Sequence, residues 1–186
     1  MGKIVSNFFI SLDGVVESPD KWHFSYFNDE MGAAIERGME SSAGFLMGRV
    51  LYEEWSSYWT NHAGGEDEGF ASFINNIPKY VVSNTLKEAT WQNTTIISGD
   101  VASQLREIKA GGGNLGMSGS ATLVRWLLAN GLLDELCLLV HPIVVGSGQR
   151  LFENTATHPL RLLQQETFQT GVLNLTYATA EGPAEG

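Results

Sequence analysis

Cysteine is almost absent from this sequence, which holds only Cys137. A single cysteine cannot form an intrachain disulfide, so a disulfide-stabilised scaffold is excluded. Cys137 lies in an apolar run from Leu136 to Val140, and this position favours a small buried side chain over a reactive thiol. Histidine is also rare and scattered, with no pair at metal-ligand spacing, so we predict no metal site.

Positive charge is scarce as well. Lysine and arginine number 11 against 21 aspartates and glutamates, which gives a net charge of -10 at pH 7. A surface this acidic repels phosphate backbones, so we expect no general binding of nucleic acid or of anionic membranes. No apolar run approaches the roughly 20 residues of a membrane span, and the first residues lack the order of a signal peptide. We therefore expect a cytoplasmic protein.

Apolar residues and glycine are plentiful instead. Apolar residues make up 43% of the chain, which favours a sizeable core. Glycine accounts for 21 of the 186 residues, which favours many tight turns. This length predicts one domain over 1–180, followed by a frayed polar tail at 181–186.

Strand-like and helix-like segments alternate along the chain. Apolar runs predict strands at about 3–12, 44–47, 80–83, 95–98, 115–118 and 134–145, and an antiparallel hairpin of strands near 160–168 and 171–179. Helical spacing predicts helices at about 26–41, after Gly48, at 70–77, from Asp100 to Gly111, and up to Gly131, with a surface loop at 61–69. This alternation is typical of an α/β fold, in which helices cover both faces of a mainly parallel central sheet.

Ligands of such sheets bind beyond the carboxyl ends of the strands. The best candidate there is the run of small residues Ser118, Gly119, Ser120, Ala121 and Thr122, between a predicted strand and a predicted helix. A helix N-terminus offers unpaired N–H groups to a pyrophosphate without needing any basic side chain. The alternative is an ordinary tight turn in which Ser120 caps the helix.

Two further strand ends carry polar or basic groups. Gly48 permits a close approach of ligand to backbone, and the guanidinium of Arg49 suits bidentate recognition of a phosphate. The alternative for Arg49 is a surface ion pair with Glu53. The third strand end carries donors for a phosphate or a sugar, or else forms a plain turn; its residues are Ser83, Asn84 and Thr85.

Aromatic residues cluster just after the first predicted strand, where Trp22, Phe24, Tyr26 and Phe27 follow one another closely. They either wall a pocket for a flat heterocycle or cover the core. His141 precedes Pro142 in an apolar strand, and we interpret it as a hydrogen-bonded structural residue.

Taken in order, these motifs resemble the reductase domain of the bacterial bifunctional riboflavin-biosynthesis deaminase-reductase, which has the three-layer dihydrofolate reductase fold. The resemblance runs from about residue 3 to 179. It rests on Ser11–Gly14, Met47–Arg49 followed by Tyr52-Glu53, Gly119-Ser120 before Leu123, Gly131–Glu135, and Pro142–Phe152. No zinc-binding deaminase domain precedes these motifs in this sequence, so the chain resembles a stand-alone member.

The resemblance implies an NADPH-dependent reductase of a small heterocyclic substrate, similar to the 5-amino-6-(5-phosphoribosylamino)uracil reductase of riboflavin biosynthesis. Alternatives are a pteridine reductase of the dihydrofolate reductase type, or a nucleotide-binding protein without catalysis. The resemblance places Arg49 beside the adenosine 2′-phosphate, with Ser83 to Thr85 nearby. It places the pyrophosphate on Gly119, Ser120 and Ala121, and the loop from Asp13 to Glu17 beside the nicotinamide.

The proton donor and the substrate contacts follow less directly. Asp13, at a strand end, and Asp29 or Glu30, on the next helix, are candidates for a carboxylic acid with a raised pKa. The alternatives are that Asp13 is a turn residue and that Asp29 caps its helix. Trp22 and Phe27 are candidate substrate contacts.

Self-association as a homodimer through the apolar late strand 136–145 is a further expectation, and its alternative is that helices cover this strand.

Overall fold

The computed structural model describes residues 1–61, 65 and 67–180. The predicted tail at 181–186 lies outside the described residues, as do residues 62–64 and 66 of the predicted loop at 61–69.

Strands and helices alternate in the described residues as predicted. The strands are β1 (Ile4–Ser11), β2 (Ser42–Gly48), β3 (Lys79–Val82), β4 (Thr94–Ile97), β5 (Asn114–Ser118), β6 (Glu135–His141), β7 (Leu160–Thr167) and β8 (Leu173–Thr179). The helices are α1 (Asp29–Glu40), α2 (Arg49–Trp59), α3 (Glu68–Asn76), α4 (Val101–Ala110) and α5 (Ala121–Ala129). Two short 3₁₀ turns, Pro19–Lys21 and Phe24–Tyr26, lie between β1 and α1.

The eight strands form one sheet in the order β4-β3-β2-β5-β1-β6-β8-β7. The neighbours from β4 to β6 are parallel, whereas β8 is antiparallel to both β6 and β7. This arrangement confirms the predicted α/β fold with its mainly parallel sheet and its antiparallel C-terminal hairpin. It also brings the carboxyl ends of six parallel strands to a single edge of the sheet.

Helices cover both faces of the sheet because side chains alternate along each strand. On β1, Phe8 packs in one core cluster with residues of α4 and α5, whereas Phe9 packs on the opposite face with Met31 of α1. On β2, Leu46 belongs to the first cluster, and its neighbour Phe45 packs with residues of α2 and α3.

Two element boundaries differ by three or more residues from the predicted ones. β6 ends at His141 rather than near residue 145, because Pro142 has no N–H to donate to a neighbouring strand. α1 begins at Asp29 rather than near residue 26, because the side chain of Asn28 accepts a hydrogen bond from Met31 N and so caps the helix there.

β6 is not an edge strand. It is hydrogen-bonded to β1 on one side and to β8 on the other, so it offers no free edge to a second chain. Self-association through residues 136–145 is therefore not possible by extending the sheet at this strand, and the homodimer stays a prediction.

Within the described residues, the helices are too short or too polar to cross a membrane.

Lys79 is fully buried at the start of β3, beneath the end of α3. Its ammonium donates hydrogen bonds to the carbonyl oxygens of Ile74 and Ile77, at 2.8 and 2.9 Å, and it lies 4.6 Å from the centre of the Trp91 ring. Burial lowers the pKa of Lys79 to about 8. This lysine therefore connects α3 to the sheet from inside the core.

Candidate active site

The turns after β2 and β5 meet at the carboxyl edge of the sheet. β2 and β5 are direct neighbours, with Phe45 paired to Gly116. Beyond their ends, the backbone N–H of Gly48 donates a hydrogen bond to the Oγ of Ser120 at 3.0 Å. The structure therefore brings together two groups of predicted ligand contacts, Gly48 with Arg49 and the run from Ser118 to Thr122.

The turn before α5 has an unusual backbone. Gly119 and Ser120 both have positive φ angles, of 65° and 55°. A Cβ at Gly119 would meet Leu51 at about 3.5 Å, so space permits a side chain there but the backbone favours glycine. Ser120 holds a left-handed conformation that costs a non-glycine residue about 1 kcal/mol or more. Such conformations are concentrated at ligand sites.

Ser120 stands at the N-cap position of α5, but its side chain makes no capping hydrogen bond. Ser120 is therefore the N-cap residue of α5 by position, as the alternative interpretation has it, but its side chain does not form the cap. The reason is that its hydroxyl is engaged by Gly48 N instead. α2 likewise has no side-chain cap, because its N-cap residue is Gly48.

Neither of these two helices carries an acidic residue in its first turn. α1, by contrast, begins with Asp29 and Glu30. The N–H groups at the start of α2 and α5 are thus left without side-chain acceptors from their own caps and first turns. Two positive helix ends side by side suit an extended anion such as a pyrophosphate.

Arg49 forms an ion pair in this structure. Its guanidinium Nη1 donates to both carboxylate oxygens of Glu53, at 2.9 and 2.7 Å. This is the alternative that the sequence had left open for Arg49. Both side chains are more than two-fifths exposed, and an exposed pair of this kind contributes at most about 1 kcal/mol. Breaking this pair would therefore cost little free energy.

The end of β3 is organised by its own side chains. Ser83 Oγ accepts hydrogen bonds from the backbone N–H groups of Thr85 and Leu86, at 3.1 and 2.9 Å. Asn84 Oδ1 accepts from Gly99 N at 3.3 Å and so connects the ends of β3 and β4. The arrangement matches a plain turn, in which the side-chain oxygens of Ser83 and Asn84 accept hydrogen bonds from backbone N–H groups.

Asp13 is held as a carboxylate. It accepts hydrogen bonds from Ser11 Oγ at 2.6 Å, Val145 N at 3.0 Å and Gly146 N at 2.8 Å. The bond from Ser11 and the two backbone N–H groups lower the pKa of Asp13 to about 2. A proton donor needs the protonated form at neutral pH, so this environment opposes that role. It matches the alternative interpretation of Asp13 as a turn residue.

The same aspartate belongs to a pair of loops, residues 12–17 and 143–151, that we call the interlocked loops. Val16 N donates to Gln149 O at 2.9 Å, and Leu151 N donates to Gly14 O at 3.1 Å. A Cβ at Gly148 would lie only 2.9 Å from Val15, so glycine is required there for the loops to approach. The segment expected beside the nicotinamide is therefore fixed against the late glycine-rich loop.

Asp29 and Glu30 have different surroundings. Asp29 is exposed in the first turn of α1, and Asn28 rather than Asp29 caps this helix. Glu30 Oε2 accepts hydrogen bonds from Asn28 Nδ2 and from Gln169 N, both at 2.7 Å. Glu30 thus links α1 to the turn between β7 and β8, and Asp29 is the more exposed of the two acidic groups.

The predicted aromatic residues come together with two histidines. We call this group the aromatic cluster; it consists of Phe9, Trp22, His23, Phe24, Tyr26, Phe27 and His141. Trp22 contacts His141 edge-on at 5.2 Å between ring centres, and Phe27 contacts His23 in the same way at 6.3 Å. Both predicted substrate contacts therefore border a histidine.

We did not predict from the sequence that His23 and His141 are neighbours, with ring centres 6.2 Å apart. The two residues are far apart in the chain, so spacing could not reveal them. The available signals were the position of His141 at a strand end on the ligand-binding edge, and that of His23 within an aromatic run. Among the described residues, no group of three or more His, Cys, Asp or Glu side chains is placed to hold a metal ion.

Fold and edge together define a dihydrofolate reductase-like α/β protein, in which two helices without side-chain caps begin side by side at the carboxyl edge of the sheet. The chain belongs to the RibD C-terminal domain family, whose family model matches residues 2–174. Its sequence is 25% identical over 179 residues to the uncharacterized protein YyaP of Bacillus subtilis (strain 168), and the match covers 94% of each chain.

Solved structures show the same fold. A protein from Shewanella sp. PV-4, provisionally described as a riboflavin biosynthesis protein, superposes with a TM-score of 0.78 at 20% identity, over 96% of this chain and 99% of that one. Dihydrofolate reductase from Enterococcus faecalis, complexed with NADP(H), gives 0.61 at 12% identity, over 97% and 98%. The riboflavin biosynthesis reductase Rib7 of Saccharomyces cerevisiae gives 0.60 at 13% identity, over 96% and 90%.

Proposed function

We propose that this protein is an NADPH-dependent reductase of a small heterocyclic substrate, of the kind that reduces 5-amino-6-(5-phosphoribosylamino)uracil in riboflavin biosynthesis. The observation that carries the proposal is the hydrogen bond between Gly48 N and Ser120 Oγ. It joins two uncapped helix N-termini into one site for a pyrophosphate.

The order of the strands supports an assignment for each part of the cofactor. Along the edge, β3 is followed by β2, β5, β1 and β6. An extended dinucleotide with its pyrophosphate on Gly119, Ser120 and Ala121 would have its adenosine end over β2 and β3. Arg49 would then bind the 2′-phosphate, near Ser83 to Thr85, and Ser118 and Thr122 would border the pyrophosphate turn.

The other end of such a dinucleotide would lie beside β1 and the interlocked loops. NADPH supplies a hydride when it is bound, and the protein's task is to align the acceptor with it at contact distance. In this proposal Asp13 is a positioning residue that orders the loop, since its carboxylate accepts bonds from Val145 N and Gly146 N. Asp29 remains the candidate for the proton donor, together with water that it could orient.

A second candidate function is nucleotide binding without turnover. It is favoured by the low pKa of Asp13, because this candidate proton donor in the loop expected beside the nicotinamide is held ionised. A third, reduction of dihydrofolate, is supported by the shared fold alone.

Titration with NADPH, followed by nicotinamide fluorescence, tests the proposal. We expect saturable binding at micromolar cofactor, and no binding at about millimolar concentration would overturn it. Consumption of NADPH with the ribosylaminopyrimidine, but not with dihydrofolate, separates the three functions; binding without consumption would favour the second.

Arg49→Ala provides the residue-level test. Only NADPH carries the 2′-phosphate, so this variant should weaken NADPH about tenfold or more while leaving NADH nearly unchanged. The matched control is Arg106→Ala, which removes the same charge from an exposed position on α4. Equal losses for the two cofactors would remove Arg49 from the proposed role.

A further inference from the structure

The aromatic cluster contains two buried nitrogen atoms that lack partners. Nδ1 of His23 and Nε2 of His141 have no hydrogen-bond partner among the described residues. His141 is fully buried, and His23 is 7% exposed. Burying a polar atom without a partner costs free energy, so proteins retain such atoms mainly where something else supplies the missing bond.

The proton on His141 can be assigned from its other ring nitrogen. Nδ1 of His141 lies 2.8 Å from the carbonyl oxygen of Leu139. A carbonyl oxygen only accepts, so Nδ1 must carry the proton and donate it. Burial lowers the pKa of His141, which favours the neutral ring. In that ring Nε2 has no proton and is a hydrogen-bond acceptor.

Aromatic rings surround this acceptor on several sides. Phe9, Trp22 and Tyr26 meet the His141 ring edge-on, with ring centres at 5.8, 5.2 and 5.6 Å. His23 meets it in the same way, and its own ring stacks on Phe9 at 4.5 Å. The walls of the cluster are therefore apolar and flat, and its unpaired polar groups are the two nitrogens.

The cluster also lies next to the proposed cofactor site. Pairing of β1 with β5 ends at Asn7 and Ser118, whereas pairing of β1 with β6 continues to Ser11 and His141. β1 thus extends four residues past the pyrophosphate turn, about 13 Å at ~3.3 Å per residue. A nucleotide seated on the turn after β5 would extend along this projecting part of β1 towards His141.

The outer side of the cluster is open. Phe24 is 66% exposed and Phe27 is 49% exposed, and both rings contact His23. These two rings are the most exposed members of the cluster, and a ligand that reaches the nitrogens beneath them would displace these rings first. An exposed apolar patch above unpaired polar atoms is typical of a ligand pocket.

We propose that His141 and His23 form the polar wall of the substrate pocket, and that Nε2 of His141 accepts a hydrogen bond from an N–H group of a planar heterocycle stacked among these rings. The substrate class is thus a flat ring with at least one ring or amino N–H. This inference rests on the proposed function for the identity of the site, but its test does not depend on turnover.

The test measures the binding of uracil to the full chain, with and without NADPH, against 1,3-dimethyluracil, in which both N–H groups are methylated. The wild-type protein should bind uracil about tenfold more tightly than the dimethyl compound. His141→Phe keeps a ring of similar size but loses the acceptor, so it should abolish this preference. His141→Gln, which places an amide oxygen near the position of Nε2, should restore part of it.

His158→Phe is the matched control, because Nε2 of His158 is likewise buried and unpartnered among the described residues. His158 precedes β7, whose first residues lie level with the start of β6, whereas His141 ends β6. The two histidines therefore lie at opposite ends of the strands. This variant should keep the preference for uracil, and all the variants should bind NADPH within about twofold of wild type. In the wild-type protein, uracil should shift the ¹⁵N resonance of His141 Nε2 while Nδ1 stays protonated.

Equal binding of the two uracils by wild type, an unchanged preference in His141→Phe, or an unmoved Nε2 resonance at saturation would each overturn the inference. If NADPH fails to bind while the preference and its dependence on His141 persist, the proposed function fails and the heterocycle pocket stands. If NADPH binds and the preference is absent, the inference alone fails.

Discussion

The backbone N–H of Gly48 donates to the hydroxyl of Ser120 across 72 positions of sequence, at 3.0 Å. Gly48 ends β2 and Ser120 lies two residues after β5, and each directly precedes a helix, so one hydrogen bond joins two strand–turn–helix units at the ligand-binding edge. The Ser120 backbone is left-handed, with a φ of 55°, and this conformation presents its hydroxyl to Gly48 instead of to its own helix.

Two substitutions of Ser120 distinguish the effect of its hydrogen bond with Gly48 N from the effect of its left-handed backbone. Ser120→Ala loses the bond and keeps the left-handed strain, whereas Ser120→Gly loses the bond and relieves the strain. Both variants should weaken NADPH binding about three- to tenfold, because the two turns are no longer joined. Thermal unfolding should find Ser120→Gly more stable than Ser120→Ala by about 1 kcal/mol.

The control for this pair is Ser103→Ala, at an exposed position on α4. It should change neither property. NADPH binding by Ser120→Ala at the wild-type level would show that the bond is not needed for the nucleotide site.

Breaking the ion pair of Arg49 should strengthen cofactor binding. Glu53→Gln removes the carboxylate that holds the guanidinium, so Arg49 is free for the 2′-phosphate. We expect NADPH to bind about two- to fivefold more tightly, which corresponds to the small free energy of an exposed pair, and NADH to bind unchanged.

Glu54→Gln is the matched control, since it makes the same charge change at the next, exposed position of α2. A gain of the same size in Glu54→Gln would assign the effect to net charge. A loss of NADPH affinity in Glu53→Gln would mean that Glu53 itself supports the cofactor.

Asp13 should stabilise the interlocked loops only where it is ionised. Its folded pKa of about 2 is below the ordinary value of 3.8, so its contribution to stability is present above about pH 4 and is lost as the pH falls towards 2. Asp13→Asn, which replaces one acceptor oxygen by a donor, should therefore unfold at lower temperature than wild type near neutral pH. The difference should shrink in acid.

Thermal unfolding from about pH 6 to about pH 2 measures this convergence. Asp20→Asn, at an exposed position in the 3₁₀ turn Pro19–Lys21, serves as the control and should follow wild type throughout. A constant difference between Asp13→Asn and wild type across this range would contradict the assigned role.

Lys79 should make the free energy of unfolding rise with pH in mildly alkaline solution. Between its folded pKa of about 8 and its ordinary value of 10.5, the unfolded chain binds more protons than the folded one. Stability contributed by this group therefore increases across that window. Lys79→Met should lose the increase, and near neutral pH it should be destabilised by about 2 kcal/mol, because the carbonyls of Ile74 and Ile77 lose their donor.

Urea unfolding at about pH 7 and about pH 9.5 measures both effects. Lys87→Met, at an exposed position, is the control for removal of a lysine charge. An unchanged pH dependence in Lys79→Met would mean that the buried ammonium stays charged throughout.

The order of strands and helices was predictable, because apolar periodicity is a local property of the chain. The hairpin turn at Gly171 follows the same logic, since its φ of 84° requires the residue found there. Contacts that depend on which strands are neighbours were not predictable. The central position of β6, which removes its free edge, appears only once β8 is known to pair with it.

The residues of the candidate site were likewise predictable from local sequence, whereas the contacts between them were not. Turn chemistry indicated Gly48 and Ser120, but nothing in their spacing predicted a direct bond between them. His23 and His141 became neighbours because β1 and β6 pair as far as Ser11 and His141 and because the chain after β1 turns back over their ends. Burial and hydrogen bonding, which decide the ionisation of Asp13, likewise depend on residues from the distant late loop.

The interlocked loops have a consequence for how this scaffold tolerates change in length. Residues 12–17 and 143–151 share backbone hydrogen bonds at several points, from Leu12 with Ile143 to Gly14 with Leu151. An insertion or deletion in one loop would move its donors out of line with the acceptors of the other, unless the second loop changed by a compensating amount. Any displacement of these two segments would therefore carry them together as one rigid body.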